Sequence, residues 1–402
     1  MKVLMVSKAC VVGTYQRKLE ELARLEGIEL MAVVPPYWQE EARRVELEPL
    51  HTRGYRLQVE QIRFNGRFHI FYFPGLPRRL REFRPDIVHV DEEPYNLATF
   101  HALWLARRYG AKSLFFTWQN LHRIYPPPFN WMEIYSFKAA DCAIAGNAEA
   151  VDVLRRKGFK KPAEVIPQFG VDPDLFHPLL RPWEEKGGRL GSSSSAVSQH
   201  LELTGATHPS WNRPPETHPP SPPFRIGYVG RLVEQKGIMD LLAAVAGLGG
   251  NWTLTLVGAG PLQGEIERRA AALGMSHRLT IIPGVPSARM PGILNSLDVL
   301  VLPSRTRPNW KEQFGRVLVE AMACELPVVG SSSGEIPNVI GDAGMIFPEG
   351  DVVALRAHLE RLMASPGLRH QMGKLGRARV LERFTHARIA EQTYRVYLSM
   401  GS

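Results

Sequence analysis

The chain has 402 residues, of which 44% are hydrophobic and 22% charged, and its net charge is +9 at pH 7. This composition is typical of a globular protein with two or three domains. No run of about 18 apolar residues is present, which excludes a membrane-spanning helix from our expectations. Cys10, Cys142 and Cys324 lie far apart and form neither a C-x-x-C motif nor a disulfide framework, which favours a reducing cytosol.

The positive charge is spread over both halves of the chain and is locally dense at two places. The dense clusters are Arg78, Arg79, Arg81 and Arg84, and Arg155, Arg156, Lys157, Lys160 and Lys161. Solvated helix faces are the simpler interpretation, and attraction to anionic lipid headgroups or phosphorylated ligands is the alternative. Nucleic-acid binding is not expected, because no binding module accompanies the charge. We expect a cytoplasmic protein and leave peripheral contact with the inner membrane face open.

The first half alternates short apolar runs with longer helical patterns. The N-terminal run is interrupted by Ser7 and Lys8, so it indicates a first β-strand rather than a signal peptide. Continuous β-branched runs predict parallel strands that are buried on both faces. The predicted strands of this half are KVLMVS, LMAVVPP, HIFYFP, DIVHVD, SLFFTW, CAIAGN and EVIPQ.

Residues 184–223 differ from their surroundings, because they are rich in Ser, Gly, Pro and His and lack apolar periodicity. This composition predicts a disordered linker or insert. After it, strands are predicted at RIGYVG, TLTLVGAG, LTIIPGV, VLVLPS, PVVGS and GMIFP, and helices at GIMDLLAAVAGL, PLQGEIERRAAALG and GRVLVEAMACE.

This alternation predicts an α/β protein with two doubly wound, Rossmann-like domains that face a central cleft. The first domain spans residues 1–180 and the second spans residues 224–385. Residues 386–402 form a C-terminal helix whose packing partner the sequence leaves open, and a return to the first domain is one option. Ligands of such sheets bind at the carboxyl ends of strands, so the chemistry should lie in the cleft.

The run YVGRLVEQKG places two cations, Arg231 and Lys236, after a strand that ends at Gly230. An Arg that binds two oxygens, a Lys point charge and nearby backbone N–H groups suit a diphosphate. A surface loop with two solvated cations is an equally common explanation for such a run. The later run VGAGPLQGEI lacks the G-x-G-x-x-G spacing of dinucleotide sites, so we interpret its glycines as a tight strand-to-helix turn.

The run EQFGRVLVE contains two glutamates, Glu312 and Glu320, on either side of a predicted helix start near Gly315 or Arg316. The N–H groups at a helix N-terminus favour negative charge. A carboxylate can accept hydrogen bonds from two sugar or ribose hydroxyls, so both glutamates are candidates for ligand contact. Taken singly, each glutamate is also an ordinary helix residue.

At these residues the sequence resembles the retaining glycosyltransferases of family 4, which have the two-domain GT-B fold. Their E-x7-E signature matches Glu312, Phe314, Gly315, Glu320 and the Ala-Met-Ala that follows. The family's upstream G-R-L…K-G run matches the segment 230–237, and its downstream G-x-P-x-x-I pattern matches the segment 334–340. The run VIPQFGVDPDLFHP resembles the end of the family's first domain, so the resemblance covers nearly the whole chain except the insert.

The resemblance implies a role for each matched residue. Arg231 and Lys236 would hold the donor's diphosphate, Glu312 would contact the donor sugar, and Glu320 would bind the ribose. The remaining donor-side residues that it implies are Gly13, Gly230, Gly284, Val285, Phe314, Gly315 and Arg316. The donor would be a UDP- or GDP-sugar, and the family implies no metal and no other cofactor.

The first half departs from the family pattern. Only Gly13 stands where the family has adjacent glycines, and Gln119 and Asp91 stand where it often has histidines. A glutamine can bind sugar hydroxyls but cannot act as a base at neutral pH. Exposure at strand ends makes Asp91, Glu92, Gln119, Asn120 and His122 the acceptor-side candidates.

The sequence therefore predicts a retaining glycosyltransferase whose acceptor is a glycan, a lipid-linked molecule or a small molecule. Two alternatives stay open. One is another GT-B reaction, carried out by a nucleotide-sugar epimerase or a disaccharide phosphorylase. The other is a nucleotide-binding protein without catalytic activity, against which the presence of both Glu312 and Lys236 argues.

Overall fold

The computed structural model describes residues 1–40, 44–179 and 222–401. The strands are β1 (Lys2–Val6), β2 (Glu29–Val34), β3 (Tyr37–Gln39), β4 (Arg44–Glu46), β5 (Arg56–Val59), β6 (Ile87–Val90), β7 (Lys112–Thr117), β8 (Cys142–Ala145), β9 (Ala163–Val165), β10 (Phe224–Val229), β11 (Trp252–Val257), β12 (Leu279–Ile282), β13 (Val299–Leu302), β14 (Val328–Ser331) and β15 (Met345–Phe347).

The α-helices are α1 (Arg17–Ala23), α2 (Leu76–Phe83), α3 (Leu97–Arg108), α4 (Phe129–Ala139), α5 (Ala148–Arg156), α6 (Ile238–Ala246), α7 (Gln263–Ala272), α8 (Met290–Asn295), α9 (Arg316–Ala323), α10 (Ile336–Ile340), α11 (Val352–Ala364), α12 (Pro366–Arg383) and α13 (His386–Gly401). In the described ranges, no helix is both long and apolar enough to cross a membrane.

The strands form two parallel sheets, one in each half of the chain. The first is a seven-stranded sheet in the order β5-β2-β1-β6-β7-β8-β9, and the second is a six-stranded sheet in the order β12-β11-β10-β13-β14-β15. Val3, Leu4, Met5 and Val6 of β1 are fully buried, as expected for a strand covered by helices on both faces. The prediction of two doubly wound α/β domains is confirmed.

The strand order gives each sheet a switch point, where the connections that leave two neighbouring strands run in opposite directions along the sheet. In the first sheet β1 lies between β2 and β6, and in the second β10 lies between β11 and β13. Loops that leave the carboxyl ends of such strands diverge and form a crevice. The loops after β1, β6, β10 and β13 carry most of the residues considered below.

One strand prediction is wrong, and three strands were missed. The run HIFYFP is irregular apart from an isolated bridge between Tyr72 and Arg63, while the edge strand of the first sheet is β5. Phe71 and Phe73 are nevertheless buried in the core. The run is apolar because it fills the core beneath the sheet, whereas β5 is half-exposed at an edge and therefore lacks a strong apolar pattern. The antiparallel β3–β4 hairpin was also missed.

Two chain segments that connect the domains lie next to each other and are hydrogen-bonded. Val171 donates a backbone hydrogen bond to Phe384, and His386 donates one back to Val171. Beyond this point α13 packs on the first domain, where Ile389 and Tyr397 join the core formed with β1 and α1. The predicted insert at 184–223 lies outside the described residues except for its last two positions.

Candidate active site

The loops after β10 and β13 bring the family's cation and first glutamate into direct contact. Lys236 lies in a short 3-10 turn after β10, and its Nζ is 2.6 Å from Oε2 of Glu312. The hydroxyl of Ser304, at the end of β13, donates to the same oxygen at 2.8 Å. Glu312 is only 7% exposed. A buried carboxylate needs partners of this kind, so the two loops fix its position.

Glycines allow the backbones of this site to approach one another. Gly237 has φ +66°, and a Cβ there would lie 1.9 Å from the carbonyl oxygen of Pro303. Gly334 has φ +54°, and its Cβ would lie 2.0 Å from the carbonyl oxygen of Glu312. Any other side chain at these positions would displace the loops that carry Lys236 and Glu312.

The second cation, Arg231, lies in the same loop after β10 as Lys236 and is exposed. Its backbone carbonyl accepts a hydrogen bond from the buried Tyr228 hydroxyl at 2.8 Å, which fixes the main chain while the side chain stays free to reach outward. Gly230 precedes it, and a Cβ on Gly258 would lie 1.9 Å from the Gly230 carbonyl oxygen. Gly258 and Gly260 thus allow the loops after β10 and β11 to pack closely, whereas the sequence suggested only a tight strand-to-helix turn.

The helix α9 begins at Arg316, as predicted, with Gly315 as its left-handed N-cap at φ 75°. Glu320 lies one turn into the helix, and Nε of Arg316 is 2.8 Å from its Oε1. Arg316 also donates from Nη1 to the hydroxyl of Tyr15 in the first domain, at 2.6 Å. Burial raises the pKa of Glu320 although the adjacent guanidinium opposes this shift. The glutamate to which the resemblance assigns the ribose is therefore held by a cation that also contacts the other domain.

The other predicted donor-side residues of the second domain lie around this helix. Phe314 is buried and packs against Trp118 of the first domain and against Phe384, with ring centroids 5.8 Å apart in both pairs. Its side chain thus serves the contact between domains, and only its backbone remains for a ligand. Gly284 and Val285 follow β12 in a loop, where Gly284 is exposed and Val285 is half-buried.

In the first domain, Gly13 does not face open space. Its N–H donates to Oε2 of Glu48 at 3.3 Å, and a Cβ would lie 2.5 Å from the side chain of Leu50. The segment before β5 therefore packs directly against Gly13, which the resemblance implies is a donor-side residue. Whether Gly13 contacts the donor stays a prediction.

The acceptor-side candidates Asp91 and Glu92 require a correction. Asp91 is 1% exposed, accepts from the Ser7 hydroxyl at 2.9 Å and lies 3.7 Å from Nζ of the buried Lys18. Glu92 accepts from both the backbone N–H and the ammonium of Lys8. These two carboxylates stabilise the loop after β1 and do not line the cavity described next. We expected them to be exposed because they lie at a strand end, but both are buried.

A cavity of about 220 Å³ lies between the domains, next to Glu312. Gln119 and Asn120 line it, whereas His122 is exposed and outside its lining. Asn120 donates to the backbone carbonyl of Glu312 at 3.3 Å. Glu93 also lines the cavity and was missed in the sequence. The run of three acids at the end of β6 was the available signal, but only the structure shows which one faces the cleft.

Two family models match the chain and together cover most of it. The model of the glycosyl transferases group 1 matches residues 210–379, and the model of Glycosyltransferase Family 4 matches residues 14–175. With two parallel-sheet domains around a polar cleft, the fold is that of the GT-B glycosyltransferases. The chain belongs to the group 1 glycosyltransferases, a class of transferase enzymes.

Curated relatives and solved structures agree with this assignment. The chain is 29% identical to alpha-maltose-1-phosphate synthase of Mycolicibacterium smegmatis over 68% of this chain and 67% of that protein. It is 32% identical to the capsular polysaccharide biosynthesis glycosyltransferase CapM of Staphylococcus aureus over 43% of this chain and 46% of that one. Among solved structures, Anabaena HepE in complex with UDP has a TM-score of 0.68 at 17% identity and covers 99% of this chain and 100% of its own.

Proposed function

We propose that this protein is a retaining glycosyltransferase that moves a sugar from a UDP- or GDP-sugar to an acceptor hydroxyl on a glycan, a lipid-linked molecule or a small molecule. The observation that carries the proposal is the contact between Lys236 and Glu312 at 2.6 Å, with the exposed Arg231 five residues before Lys236 in the same loop. A cation next to a sugar-binding carboxylate suits a ligand in which a diphosphate adjoins a sugar ring.

The proposed chemistry follows from where charge develops. Breaking the anomeric C–O bond leaves negative charge on the diphosphate and positive character on the sugar. Lys236 and Arg231 would stabilise the diphosphate, and Glu312 would position the sugar through its hydroxyls. Because Ser304 also holds Glu312, the carboxylate stays in place when Lys236 turns toward phosphate. The acceptor hydroxyl would attack from the leaving-group face, which retains the configuration, and the departing phosphate would take the proton.

The test is release of nucleoside diphosphate from a panel of UDP- and GDP-sugars, with and without methyl glycosides as acceptors. We expect Lys236→Ala and Glu312→Ala to reduce turnover by about a hundredfold or more, since each removes a preorganised charge. Gln371→Leu is the control, because Gln371 is exposed on α12. Unchanged turnover in both site variants would contradict the proposal, and excess EDTA should leave turnover unchanged.

A product of inverted anomeric configuration, read by NMR coupling constants, would contradict the retaining mechanism alone. Release of nucleoside diphosphate without any acceptor-dependent product would favour a different GT-B reaction.

A further inference from the structure

A second cavity, which we call the basal cavity, has a volume of about 950 Å³ and lies in the first domain, away from the cleft. Its lining includes Ile87 at the start of β6, Lys112 at the start of β7 and Gly401 at the end of α13. The inter-domain cavity is lined by Glu93 and Gln119, which follow the other ends of β6 and β7, so the two cavities lie at opposite edges of one sheet. Small-molecule sites occupy about 300–1,000 Å³, so the basal cavity is large enough for a ligand of its own.

One part of the basal cavity is apolar. Leu80 of α2, Ile87 of β6 and Tyr397 of α13 line it and are at most 2% exposed, so they form its floor. Tyr109 and Leu398 also line it but are 39% and 50% exposed, which places them at its rim. Large apolar side chains left exposed around a concave apolar floor favour contact with an apolar body. This part of the cavity therefore suits an alkyl chain or an aromatic ring.

The other part of the basal cavity is cationic. Arg81 and Arg84 lie one turn apart at the end of α2, and both line the cavity. Across the described parts of the chain, neither guanidinium group has a hydrogen-bond or ion-pair partner. By contrast, Arg78 and Arg79 of the same helix are both bound to Glu82. The end of α2 therefore presents two unpaired positive charges to the cavity.

The acidic side chain at the basal cavity does not neutralise these charges. Among the described residues that line the cavity, Asp86 carries the only carboxylate. Its Oδ2 accepts from the backbone N–H of Lys2 at 2.7 Å, which fixes the start of β6 to β1, and it forms no ion pair with either arginine. Lys112 adds a third cation to the lining. One carboxylate beside three cations leaves the cavity positively charged.

Helix dipoles are the alternative explanation for these cations, because α2, α3 and α13 all end at the cavity. The end of a helix carries about half a negative charge. Lys112 donates to the backbone carbonyl of Met400 in the last turn of α13, and α3 has Arg107 and Arg108 in its own last turn. The two arginines of α2 are left with the dipole of α2, which balances only a fraction of their charge. The excess favours an anion, and a dianion matches it better than a monoanion.

Arg84 has a backbone conformation that is unusual for its residue type. It follows α2 with φ 49°, in the left-handed region that favours glycine, and its N–H donates to the Leu80 carbonyl at 2.9 Å. Glycine would fit this turn at least as well, so the turn does not require the arginine side chain. Replacement by glycine therefore removes the guanidinium group without straining the fold.

We propose that the basal cavity binds an amphipathic phosphate monoester, taken up from solution as a single molecule with an apolar body and a phosphate head. The head would accept from Arg81 and Arg84, because each guanidinium group can bind two phosphate oxygens at once. Such a phosphate carries a charge of about −1.5 to −2 at pH 7, which matches two guanidinium groups. The apolar body would lie on Leu80 and Ile87, against Leu398 of α13. The inference does not depend on the proposed glycosyl transfer.

The test uses the full chain and octyl phosphate below its micelle concentration, with binding measured by calorimetry. Octanol, octanoate, octyltrimethylammonium and inorganic phosphate are the matched probes, since each lacks one property of the proposed ligand. We expect octyl phosphate to bind about tenfold or more tightly than each of them, because each loses apolar burial or charge-assisted hydrogen bonds. Octyl phosphate should also raise the melting temperature, because a ligand that binds only the folded chain stabilises it.

Variants of the lining locate the binding site. Arg81→Gln and Arg84→Gly should each weaken octyl phosphate about tenfold or more, since each removes charge-assisted hydrogen bonds. Leu398→Ser should also weaken octyl phosphate and leave the affinity for inorganic phosphate unchanged. Arg78→Gln is the matched control, because Arg78 lies on the same helix, bound to Glu82 and outside the lining. The melting temperature of unliganded Arg84→Gly should not fall, so its loss of binding can be separated from a loss of folding.

Three outcomes of these measurements would overturn the inference. They are no binding of octyl phosphate to the wild type, equally tight binding of octanoate or octyltrimethylammonium, and wild-type affinity in both Arg81→Gln and Arg84→Gly. Sedimentation with phosphatidylglycerol vesicles separates a single-molecule site from a membrane contact. Vesicle binding that depends on the two arginines, without binding of octyl phosphate, would also overturn the inference, because the arginines would then contact a lipid surface. The affinities for UDP and GDP, measured in parallel, should stay within about twofold in every variant.

Discussion

At the scale of single residues, Glu93 illustrates what burial does to an ionisable group. Burial raises the pKa of its carboxyl to about 7, while hydrogen bonds from Thr117 and Trp118 and the charge of Lys8 oppose the shift, and Glu92 adds to it. A carboxyl that protonates near neutral pH can either donate or accept a hydrogen bond there. Its position at the cavity therefore makes the inter-domain cavity sensitive to pH in the physiological range.

This pKa has a consequence for stability. An unfolded glutamate titrates near pH 4.3, so between about pH 4.3 and 7 the folded chain binds a proton that the unfolded chain has released. The free energy of unfolding should therefore fall as pH rises through this window. We expect the wild type to lose, relative to Glu93→Gln, on the order of 3 kcal/mol between pH 4 and pH 8. Urea unfolding of both proteins at several pH values measures this difference.

Glu164→Gln is the matched control, because Glu164 is an exposed carboxyl of the same domain. This variant controls for the loss of a carboxylate elsewhere in the domain. If the difference in the free energy of unfolding between the wild type and Glu93→Gln is constant from pH 4 to pH 8, the carboxyl of Glu93 has the same pKa in the folded and unfolded chains.

At the scale of elements, much of the fold was readable from the sequence. Strands such as β1 and β10 are continuous apolar runs because helices cover both faces, and such runs are easy to recognise. The start of α9 was predicted because Gly315 follows a polar loop and precedes an apolar periodicity. Edge strands such as β5 could not be predicted in this way, since half-exposed residues carry no clear pattern.

The candidate site likewise has a part that the sequence predicted and a part that it did not. Lys236 and Glu312 lie on loops with a fixed motif, and the structure brings them into contact. The cavity wall formed by the first domain has no motif. Which of Asp91, Glu92 and Glu93 lines the cavity depends on side-chain direction, which is set by contacts with distant residues such as Lys18 and Lys8. The spacing of residues along the sequence does not predict those contacts.

The approach of the loop after β14 to the loop after β13 gives an element-scale prediction. Gly334→Ala should destabilise the protein by more than 1 kcal/mol and reduce sugar transfer, because it combines a left-handed backbone with a clash against the Glu312 carbonyl. Gly274→Ala is the matched control, since Gly274 has φ +69° but nothing within 4 Å of its Cβ position. Thermal unfolding and nucleoside diphosphate release measure the two effects.

Gly274→Ala should show the backbone strain alone, with a smaller loss of stability and normal transfer. Equal losses of stability and of activity in both variants would mean that the contact with Glu312 contributes nothing.

At the scale of the whole molecule, the domains contact each other through residues of the candidate site. Arg316 bonds to Tyr15, Asn147 donates to the backbone carbonyl of Gln313 at 2.8 Å, and Gln313 donates to the backbone carbonyl of Trp118 at 3.0 Å. The loop that carries Glu312 is thus part of the interface. Its geometry depends on how the domains are placed.

A double-mutant cycle measures one of these contacts. We expect Tyr15→Phe and Arg316→Met to be coupled by about 1–2 kcal/mol in the free energy of unfolding, because the hydrogen bond of 2.6 Å involves a charged donor. Tyr15→Phe keeps the stacking on Phe169, whose ring centroid is 4.0 Å away. The control cycle pairs Tyr15→Phe with Arg305→Met, since Arg305 is bound to Asp240 elsewhere in the second domain. Equal coupling in the two cycles would argue against a specific contact between Tyr15 and Arg316.

The return of α13 to the first domain affects the order in which the protein assembles during synthesis. The strands of the first sheet are complete once residue 165 has been made, but part of the apolar surface of β1 and α1 is covered by residues 386–401, which follow the second domain. Domains generally fold as they emerge from the ribosome, the N-terminal one first. Here the second domain emerges before α13, so it can fold while one face of the first domain is still partly uncovered, and α13 then completes the first domain.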